Sequence, residues 1–309
     1  AARTEPQMDV AYEAAFDMTT QLDNTVKTAN FSLCARTSTP VKVKGRQNAL
    51  DASANGCFGR KFNMRPAAGT TVSQAIADRT TYASERVNYC FPRWKVRIPE
   101  IAEKGAIAGG VGFTDDGVIG IGSDGPLATI NCRLAPEENP GQDTNGLIDE
   151  FFAVEPVDVP LTQSVYASLK ANGICAPRVD TVSGSIYQSG ITSSVEPGLK
   201  TQARRKMADF IQDTLAQRLV PYSKKLATNA RKTAIRTIID EFLESLESPN
   251  NPELQRIFDY SVDSISGNTP SMEALGIFVN IVRVRTLASL DNIVIQTEIG
   301  EGVVIVSAI

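Results

Sequence analysis

The 309-residue sequence contains no histidine. Histidine is the commonest general base and metal ligand, so its absence excludes the Ser-His and Cys-His nucleophile pairs. Carboxylate or lysine chemistry stays open, but no spacing of acidic residues is typical of a catalytic site. We therefore predict that the chain is not an enzyme and that it binds no cofactor and no metal.

Cysteine is scarce and scattered, and no C-x-x-C pair occurs, so the sequence predicts no zinc site. An odd number of cysteines in a chain made in a reducing compartment favours reduced, buried thiols. The alternative is disulfides between subunits, formed after release into an oxidising medium. Cys57 is the best exposed candidate, since it lies in the turn-like sequence Asn-Gly-Cys-Phe-Gly. The five cysteines are Cys34, Cys57, Cys90, Cys132 and Cys175.

Long apolar runs are also missing. None approaches the roughly 20 residues that span a bilayer, and the first 30 residues do not resemble a signal peptide. The net charge of −4 lacks the positive excess of nucleic-acid-binding proteins. Basic and aromatic residues are not interleaved as on a nucleic-acid platform. We expect a soluble protein, made in a cytoplasm, that neither inserts into membranes nor binds nucleic acid directly.

Two glycine-rich segments, 109–112 and 120–125, have the composition of phosphate loops. Neither is followed by the Lys-Ser/Thr pair of a P-loop, and neither is typical of a strand–GxGxxG–helix unit. Turn formation is the simpler interpretation of both.

Hydrophobic periodicity predicts an α/β fold with a body over residues 31–198, preceded by a helix or arm over 1–30. Glycine-, aspartate- and proline-rich loops occupy 109–146, and Asn172-Gly173 is typical of a helix C-cap. The strand over 86–96 is expected to be buried and interrupted by Pro92. The predicted strands cover 31–35, 41–43, 86–96, 118–121, 128–132, 151–159 and 174–182, and the predicted helices cover 72–84, 98–108 and 161–171.

From residue 199 the pattern changes, and a C-terminal assembly domain over 199–309 is predicted. Its helices are expected over 199–219, 226–246 and 252–262, and its strands over 277–287, 292–299 and 302–309. The last strand, Gly-Val-Val-Ile-Val-Ser-Ala-Ile, is apolar and uncharged, so it would aggregate if left free. It is either the last strand of an ordinary sheet or a strand lent to a neighbouring subunit. In the second case the inter-subunit strand consists of Val303, Val304, Ile305, Val306 and Ile309.

Charge is segregated within this C-terminal part. Ten basic residues lie between Lys200 and Arg236, where only Asp209 and Asp213 oppose them. Seven acidic residues follow between Asp240 and Asp263, against one arginine. A solvated amphipathic face and an electrostatic partner surface both fit this pattern.

Three stretches are similar to the contractile tail sheath proteins of myophages, whose relatives build tailocins and contractile injection systems. Residues 83–92, Ala-Ser-Glu-Arg-Val-Asn-Tyr-Cys-Phe-Pro, resemble a strand of the family's α/β body. Residues 169–174, Leu-Lys-Ala-Asn-Gly-Ile, resemble its step from a helix through Asn-Gly to a strand. The third similarity is the C-terminal order of two long helices and a terminal strand hairpin. Many sheath proteins are considerably longer, and the strand that opens them has no match in the polar residues 1–9.

The resemblance implies a structural protein that polymerises as stacked hexameric rings into a contractile sheath around a tail tube. It also implies contact with a baseplate and a tail terminator, in a virion assembled in the host cytoplasm. Contraction would release stored energy and drive the tube through the host envelope. The alternatives are another virion assembly protein, such as a tail terminator or baseplate component, and a histidine-free enzyme that uses carboxylates.

In this family the C-terminal domain faces the tube, and the terminal arms of neighbouring subunits complete a small sheet. By that resemblance, the basic run would meet the tube protein. The cations expected to reach it are Lys200, Arg204, Arg205, Lys224, Lys225, Arg231 and Lys232.

Overall fold

The computed structural model describes residues 4–19, 31–33, 35–97, 118–142, 154–155, 157–180, 184–288, 295–298 and 305–308. The predicted helix over 98–108 and the glycine-rich segment 109–112 lie outside these residues. The helices are α1 (Glu5–Met18), α2 (Thr39–Ala54), α3 (Val72–Thr81), α4 (Asp124–Arg133), α5 (Gln163–Ala171), α6 (Gln202–Leu219), α7 (Asn229–Glu247) and α8 (Pro270–Ala274). The strands are β1 (Phe31–Leu33), β2 (Lys61–Met64), β3 (Val87–Cys90), β4 (Trp94–Arg97), β5 (Val118–Ile121), β6 (Val154–Glu155), β7 (Ile174–Cys175), β8 (Pro177–Asp180), β9 (Gly184–Tyr187), β10 (Ile257–Asp263), β11 (Ile281–Thr286), β12 (Ile295–Glu298) and β13 (Ile305–Ala308).

A parallel sheet in the order β1-β2-β3-β7 forms the centre of the body. Parallel strands are joined by crossover helices, and such sheets are usually covered on both faces. Side chains alternate across the sheet, so Phe62, Met64 and Tyr89 point to one core. Helices α1, α2, α3 and α5 cover that core, to which they contribute Phe16, Val41, Ala49, Ala75, Tyr166 and Leu169.

The opposite face of the same strands is largely polar. Lys61, Asn63 and Asn88 are all almost fully buried there. The Asn88 amide donates to Asn63 Oδ1 at 2.7 Å, and the Asn63 amide donates to the Asp124 carbonyl of α4 at 3.1 Å. Because buried polar groups need partners, this face must be covered by elements that bring hydrogen bonds and charges.

A second core lies beside the sheet and joins it to the smaller β-elements. Trp94 of β4 packs edge-on against Tyr187 of β9, with ring centroids 6.1 Å apart. Cys90 and Cys175 of the parallel sheet and Leu127 of α4 complete this core. Strand β4 lies between β5 and β6 in an antiparallel sheet, and β8 and β9 form a hairpin.

The C-terminal helices α6 and α7 pack on an antiparallel hairpin of β10 and β11. Met207, Ile211 and Leu215 of α6 meet Phe242 and other residues of α7 in a third core. Strands β12 and β13 pair antiparallel in a separate two-stranded ribbon. The predicted mixed α/β fold is confirmed, with the α6–α7 helices and terminal strands in the predicted order.

Two predicted strands are wrong, because both segments are helical. Residues 41–43 lie inside α2, whose start is given by Ser38 at the N-cap and Pro40 in the first turn. Residues 128–132 lie inside α4, whose buried Leu127, Ile130 and Asn131 follow helical spacing. Each predicted strand depended on only a few β-branched or apolar residues. The signals for the start of a helix that precede each segment were the stronger evidence.

The predicted helix over 252–262 is also wrong. A single 3₁₀ turn, Pro252–Leu254, is followed by β10, which pairs with β11 with a register shift at Phe258. Tyr260 and Val262 are good strand formers at alternate positions and pack against the third core, and that alternation was the better guide.

Other predictions are confirmed. The segment 86–96 forms two strands, β3 and β4, which Pro92 separates and which belong to different sheets. Helix α5 ends at Asn172, and Gly173 follows with φ +70°, in the left-handed region that favours glycine.

We predict that Gly173→Ala lowers the free energy of unfolding by about 2–3 kcal/mol, combining backbone strain with a steric clash. A β-carbon at Gly173 would lie 2.6 Å from Arg79 Nη2 and 2.9 Å from the Thr192 carbonyl oxygen. Urea denaturation followed by circular dichroism measures the loss.

The matched control is Gly69→Ala, at a glycine with φ +78° and open space around the β-carbon position. It should lose only the backbone part, about 1 kcal/mol. Equal losses in the two variants would contradict the steric contribution at Gly173.

Candidate assembly surfaces

Asp209 of α6 joins the C-terminal helices to the polar face of the parallel sheet. Its carboxylate accepts hydrogen bonds from Arg86 Nη1 at 2.8 Å and from Arg205 Nη2 at 2.7 Å. Lys61 Nζ of β2 lies 3.5 Å from the other carboxylate oxygen. The side chains of Asp209, Arg86 and Lys61 are each at most 5% exposed, so three cations surround one buried anion.

Burial dominates the titration of Lys61. The pKa of the Lys61 ammonium group is lowered to about 7, mainly by removal from water, with smaller contributions from the nearby cations Lys206, Arg86 and Arg205. The Asp209 carboxylate opposes this shift but does not cancel it. The cluster is therefore sensitive to pH in the range where surface lysines stay charged.

Further contacts bind the first half of α6 to the body. Gln202 Nε2 donates to the Ile191 carbonyl at 2.7 Å, and Arg205 Nη1 lies 3.1 Å from Glu85 Oε1. Lys206 Nζ donates to the Ala135 carbonyl at 3.1 Å, and burial lowers the pKa of this lysine to about 8. These contacts all lie within one chain, so they hold α6 against its own body and are not available to a partner.

The fold separates the seven cations that the sequence grouped. Lys200 Nζ donates to the Ala171 carbonyl at 2.6 Å, Arg205 belongs to the Asp209 cluster, and Lys232 pairs with Glu273. Arg204 is half-buried and lines a small pocket with Glu137. Contact of these residues with a tube stays a prediction.

Three of the seven cations lie at or near the connection between α6 and α7. Lys224 and Lys225 are exposed, and no ion pair involves either among the described residues. Arg231 Nη1 donates to the Leu226 carbonyl at 2.7 Å and so folds over the connection. Leu226 is 79% exposed. We call Lys224, Lys225, Leu226 and Arg231 the basic end of α7.

The opposite end of α7 is acidic. Glu244 and Glu253 are exposed and Glu247 is half-buried, and none has an ion pair among the described residues. The nearby Arg256 is engaged elsewhere, since its guanidinium pairs with Glu137 at 2.6 Å. Leu254, in the turn after the helix, is 63% exposed. We call Glu244, Glu247, Glu253 and Leu254 the acidic end of α7.

This charge arrangement opposes the helix dipole. The first turn of α7 contains no acidic residue and the last turn no basic residue. A helix favours anions at its N-terminus and cations at its C-terminus, each by about 0.3–1 kcal/mol. The charges at both ends therefore do not serve the stability of α7 itself.

The terminal ribbon pairs Ile295 with Ala308 through Glu298 with Ile305. Strand β13 is thus paired in its own chain. Among the described strands, neither β12 nor β13 has a second neighbour, so one edge of each is open. Of the predicted inter-subunit strand, Ile305 and Val306 lie in β13, whereas Val303, Val304 and Ile309 lie outside the described residues. Lending of this strand to another subunit stays a prediction.

The thiols differ in exposure from the prediction. Cys132 of α4 is exposed, whereas Cys57 is half-buried. Cys90 and Cys175 are buried opposite each other on β3 and β7, and burial raises the pKa of the Cys175 thiol to about 12. Cys132, rather than Cys57, is thus the most exposed described thiol. It was missed because its segment was predicted to be a strand.

The glycine-rich segment 120–125 does connect a strand, β5, to a helix, α4, contrary to prediction. At Gly122, however, the space beside the backbone is filled by protein. A β-carbon at Gly122 would lie 2.4 Å from the Arg65 side chain. Arg65 Nη1 is bonded to Asp124 Oδ1 at 2.6 Å. The turn interpretation therefore holds for this segment.

The described residues contain no group of three or more acidic or cysteine side chains placed to hold a metal ion. None of the described helices has both the length and the apolar character needed to cross a membrane.

Comparison with known proteins places this fold among contractile sheath structures. No protein-family model matches the sequence, and no curated protein sequence matches it. A chain of the contracted PVC sheath complex, from an extracellular contractile injection system, matches with a TM-score of 0.66 at 13% identity. The match covers 95% of this chain and 80% of that one.

Two further structures agree. A chain of the anti-feeding prophage baseplate matches with a TM-score of 0.63 at 14% identity, over 87% of this chain and 68% of that chain. The sheath tail protein of Desulfitobacterium hafniense matches with a TM-score of 0.57 at 10% identity, over 92% of this chain and 61% of that chain. These likenesses confirm the fold that the resemblance implied, that of the contractile sheath proteins.

We predict that Lys61→Met flattens the pH dependence of stability between about pH 7 and 10. An unfolded lysine has a pKa of about 10.4, and folding lowers that of Lys61 to about 7. Between these values the unfolded chain binds more protons, so the free energy of unfolding rises with pH. The slope that Lys61 contributes is at most about 1.4 kcal/mol per pH unit. Urea denaturation at a series of pH values measures it.

Lys225→Met is the matched control, because its side chain is exposed. It should leave the slope unchanged. Asp209 keeps Arg86 and Arg205 in the Lys61 variant, so the variant should fold. An unchanged slope in Lys61→Met would show that folding does not lower the pKa of Lys61.

We also predict that Cys132 is alkylated first among the four described thiols when the native protein is treated with a maleimide. Cys57 should follow more slowly, and Cys90 and Cys175 should react only after unfolding, because a buried thiol is neither accessible nor ionised. Peptide mass spectrometry of timed samples measures the order. Labelling of Cys57 before Cys132 would contradict the exposures described above.

Proposed function

We propose that this chain is a structural subunit of a contractile sheath, which polymerises around a tail tube as stacked hexameric rings. The observation that carries the proposal is the match to a contractile sheath chain over 95% of this chain. The open-edged ribbon of β12 and β13 supports it, since that ribbon offers a site for polymerisation. The proposal includes baseplate and tail terminator contacts, assembly in a host cytoplasm and a place in the virion.

The ribbon needs more than its own two strands. An isolated two-stranded hairpin is marginally stable in water. Its open edges expose unpaired backbone groups, which pair readily with another chain. A neighbouring subunit that adds a strand would complete the sheet through main-chain hydrogen bonds and join subunits without a large side-chain interface.

The Asp209 cluster gives such a polymer rigid subunits. Arg86 and Lys61 of the body and Asp209 and Arg205 of α6 form one buried network, so the body and the α6–α7 helices resist separation. In a contracting sheath, subunits of this kind would move as units while the terminal strands keep neighbours connected. Energy would be stored in the arrangement of subunits, and no catalytic step is proposed.

A baseplate component is the second candidate, because one matched chain belongs to a baseplate. Negative-stain microscopy of the purified protein separates the two. A sheath subunit forms tubes of variable length, whereas a baseplate component or terminator forms closed rings.

We predict that deletion of residues 303–309 leaves a folded subunit that does not form tubes, because the inter-subunit strand is lost. Circular dichroism checks the fold, and microscopy together with sedimentation velocity checks assembly. Normal tubes formed by the deleted protein would rule out the strand-lending part of the proposal.

A peptide of residues 302–309 offers a test on the intact chain. Added in excess before assembly, it should occupy the open edge and lower the yield of tubes. The matched control is the same peptide with Val306→Pro, since proline cannot donate a ladder hydrogen bond. Equal inhibition by the two peptides would count against strand addition.

A further inference from the structure

The two ends of α7 complement each other in both charge and apolar character. The basic end presents Lys224 and Lys225 beside Leu226, which is 79% exposed. The acidic end presents Glu244 and Glu253 beside Leu254, which is 63% exposed. An exposed leucine surrounded by charge at each end has the anatomy of an interface, with an apolar centre and a polar rim.

Within one subunit the two ends cannot meet. Helix α7 has 19 residues, which gives it a length of about 28 Å. Exposed charges interact over about 8 Å at physiological ionic strength, so the ends do not neutralise each other in the same chain. Among the described residues, neither lysine and neither glutamate has an ion pair.

The arrangement also runs against the dipole of α7, as described above, so α7 itself gains nothing from it. A partner of one sign, such as an acidic tube, would account for the basic end and leave the acidic end unexplained. A second copy of this chain accounts for both ends at once, since each copy carries the surface that the other needs.

We propose that the basic end of α7 in one copy docks on the acidic end of α7 in the next copy. Lys224 and Lys225 face Glu244 and Glu253 across the contact, and Leu226 packs against Leu254. The two surfaces differ, so the contact is heterologous: repeated, it generates a ring or a helical filament rather than a closed dimer. The inference rests on the proposed self-assembly and assigns it a second contact, separate from the terminal strand.

Two charge-reversal variants test the contact in the absence of any tube. The basic variant carries Lys224→Glu and Lys225→Glu, and the acidic variant carries Glu244→Lys and Glu253→Lys. Each variant alone should lose assembly by at least about tenfold, because like charges then meet at every contact. An equimolar mixture should assemble again, since every contact between the two variants pairs opposite charges.

The control for the acidic variant is Glu196→Lys, a charge reversal at an exposed site on the body. It should assemble like the parent. Thermal unfolding of all variants checks folding, and both test variants should keep a cooperative transition, because the four reversed side chains are exposed and have no ion pair among the described residues.

Cross-linking identifies the contact directly. A carbodiimide joins amines and carboxylates that touch, and a mixture of ¹⁵N-labelled and unlabelled protein marks the amides that bridge two copies. We expect bridging amides from Lys224 or Lys225 to Glu244 or Glu253. Assembly without them, or full assembly by the basic variant alone, would overturn the proposal.

The same experiment tests this inference and the proposed function separately. Closed rings or short filaments that contain the expected bridging amides would support the α7 contact while contradicting a sheath. Tubes without those amides would support the sheath and reject the contact. A protein that stays monomeric at all salt concentrations and shows no bridging amides would reject both.

Discussion

The polar face of the parallel sheet is the constraint that shapes the rest of this subunit. Strand β2 buries Lys61 and Asn63 on the face opposite its apolar Phe62 and Met64, and Arg86 precedes β3 on the same side. A buried cation without a partner is strongly unfavourable, so an element that covers this face has to carry a carboxylate. Helix α6 does so at Asp209. The position of the C-terminal helices therefore follows from the charge of a strand more than 140 residues earlier in the chain.

A network of this kind is costly to break from one side. Removing one partner of a buried ion pair typically destabilises a protein by about 3–5 kcal/mol, because the other charge is left without compensation. The three cations around Asp209 make the carboxylate harder to replace than any one of the cations. The Asp209 cluster thus holds α6 rigidly against the body through a few side chains. The outer surfaces of α6 and α7 are not needed for this attachment.

Much of this fold could be predicted from local signals. The strand pair around Pro92 and the end of α5 at Asn172-Gly173 depend on neighbouring residues, and both were found. The start of α2 was equally local, at Ser38 and Pro40, but a short β-branched run drew the prediction to a strand. The sequence could not show which cations of the basic run are engaged within the chain. Arg205 and Lys224 have the same charge, and only the fold places Arg205 beside Asp209 and leaves Lys224 in solvent.

Buried ion pairs and exposed charges respond differently to salt, although a sequence does not distinguish them. Ions screen exposed charges over about 8 Å at physiological ionic strength but reach buried pairs far less. Salt therefore acts on the ends of α7 and hardly at all on the Asp209 cluster, so it would loosen the proposed contact between copies without unfolding either copy. The proposed sheath, whose subunits would rearrange as intact units, needs that distinction. Here it arises from the placement of like residues: carboxylate–cation pairs lie in the interior of the chain, and charges without an ion pair among the described residues lie at the two ends of α7.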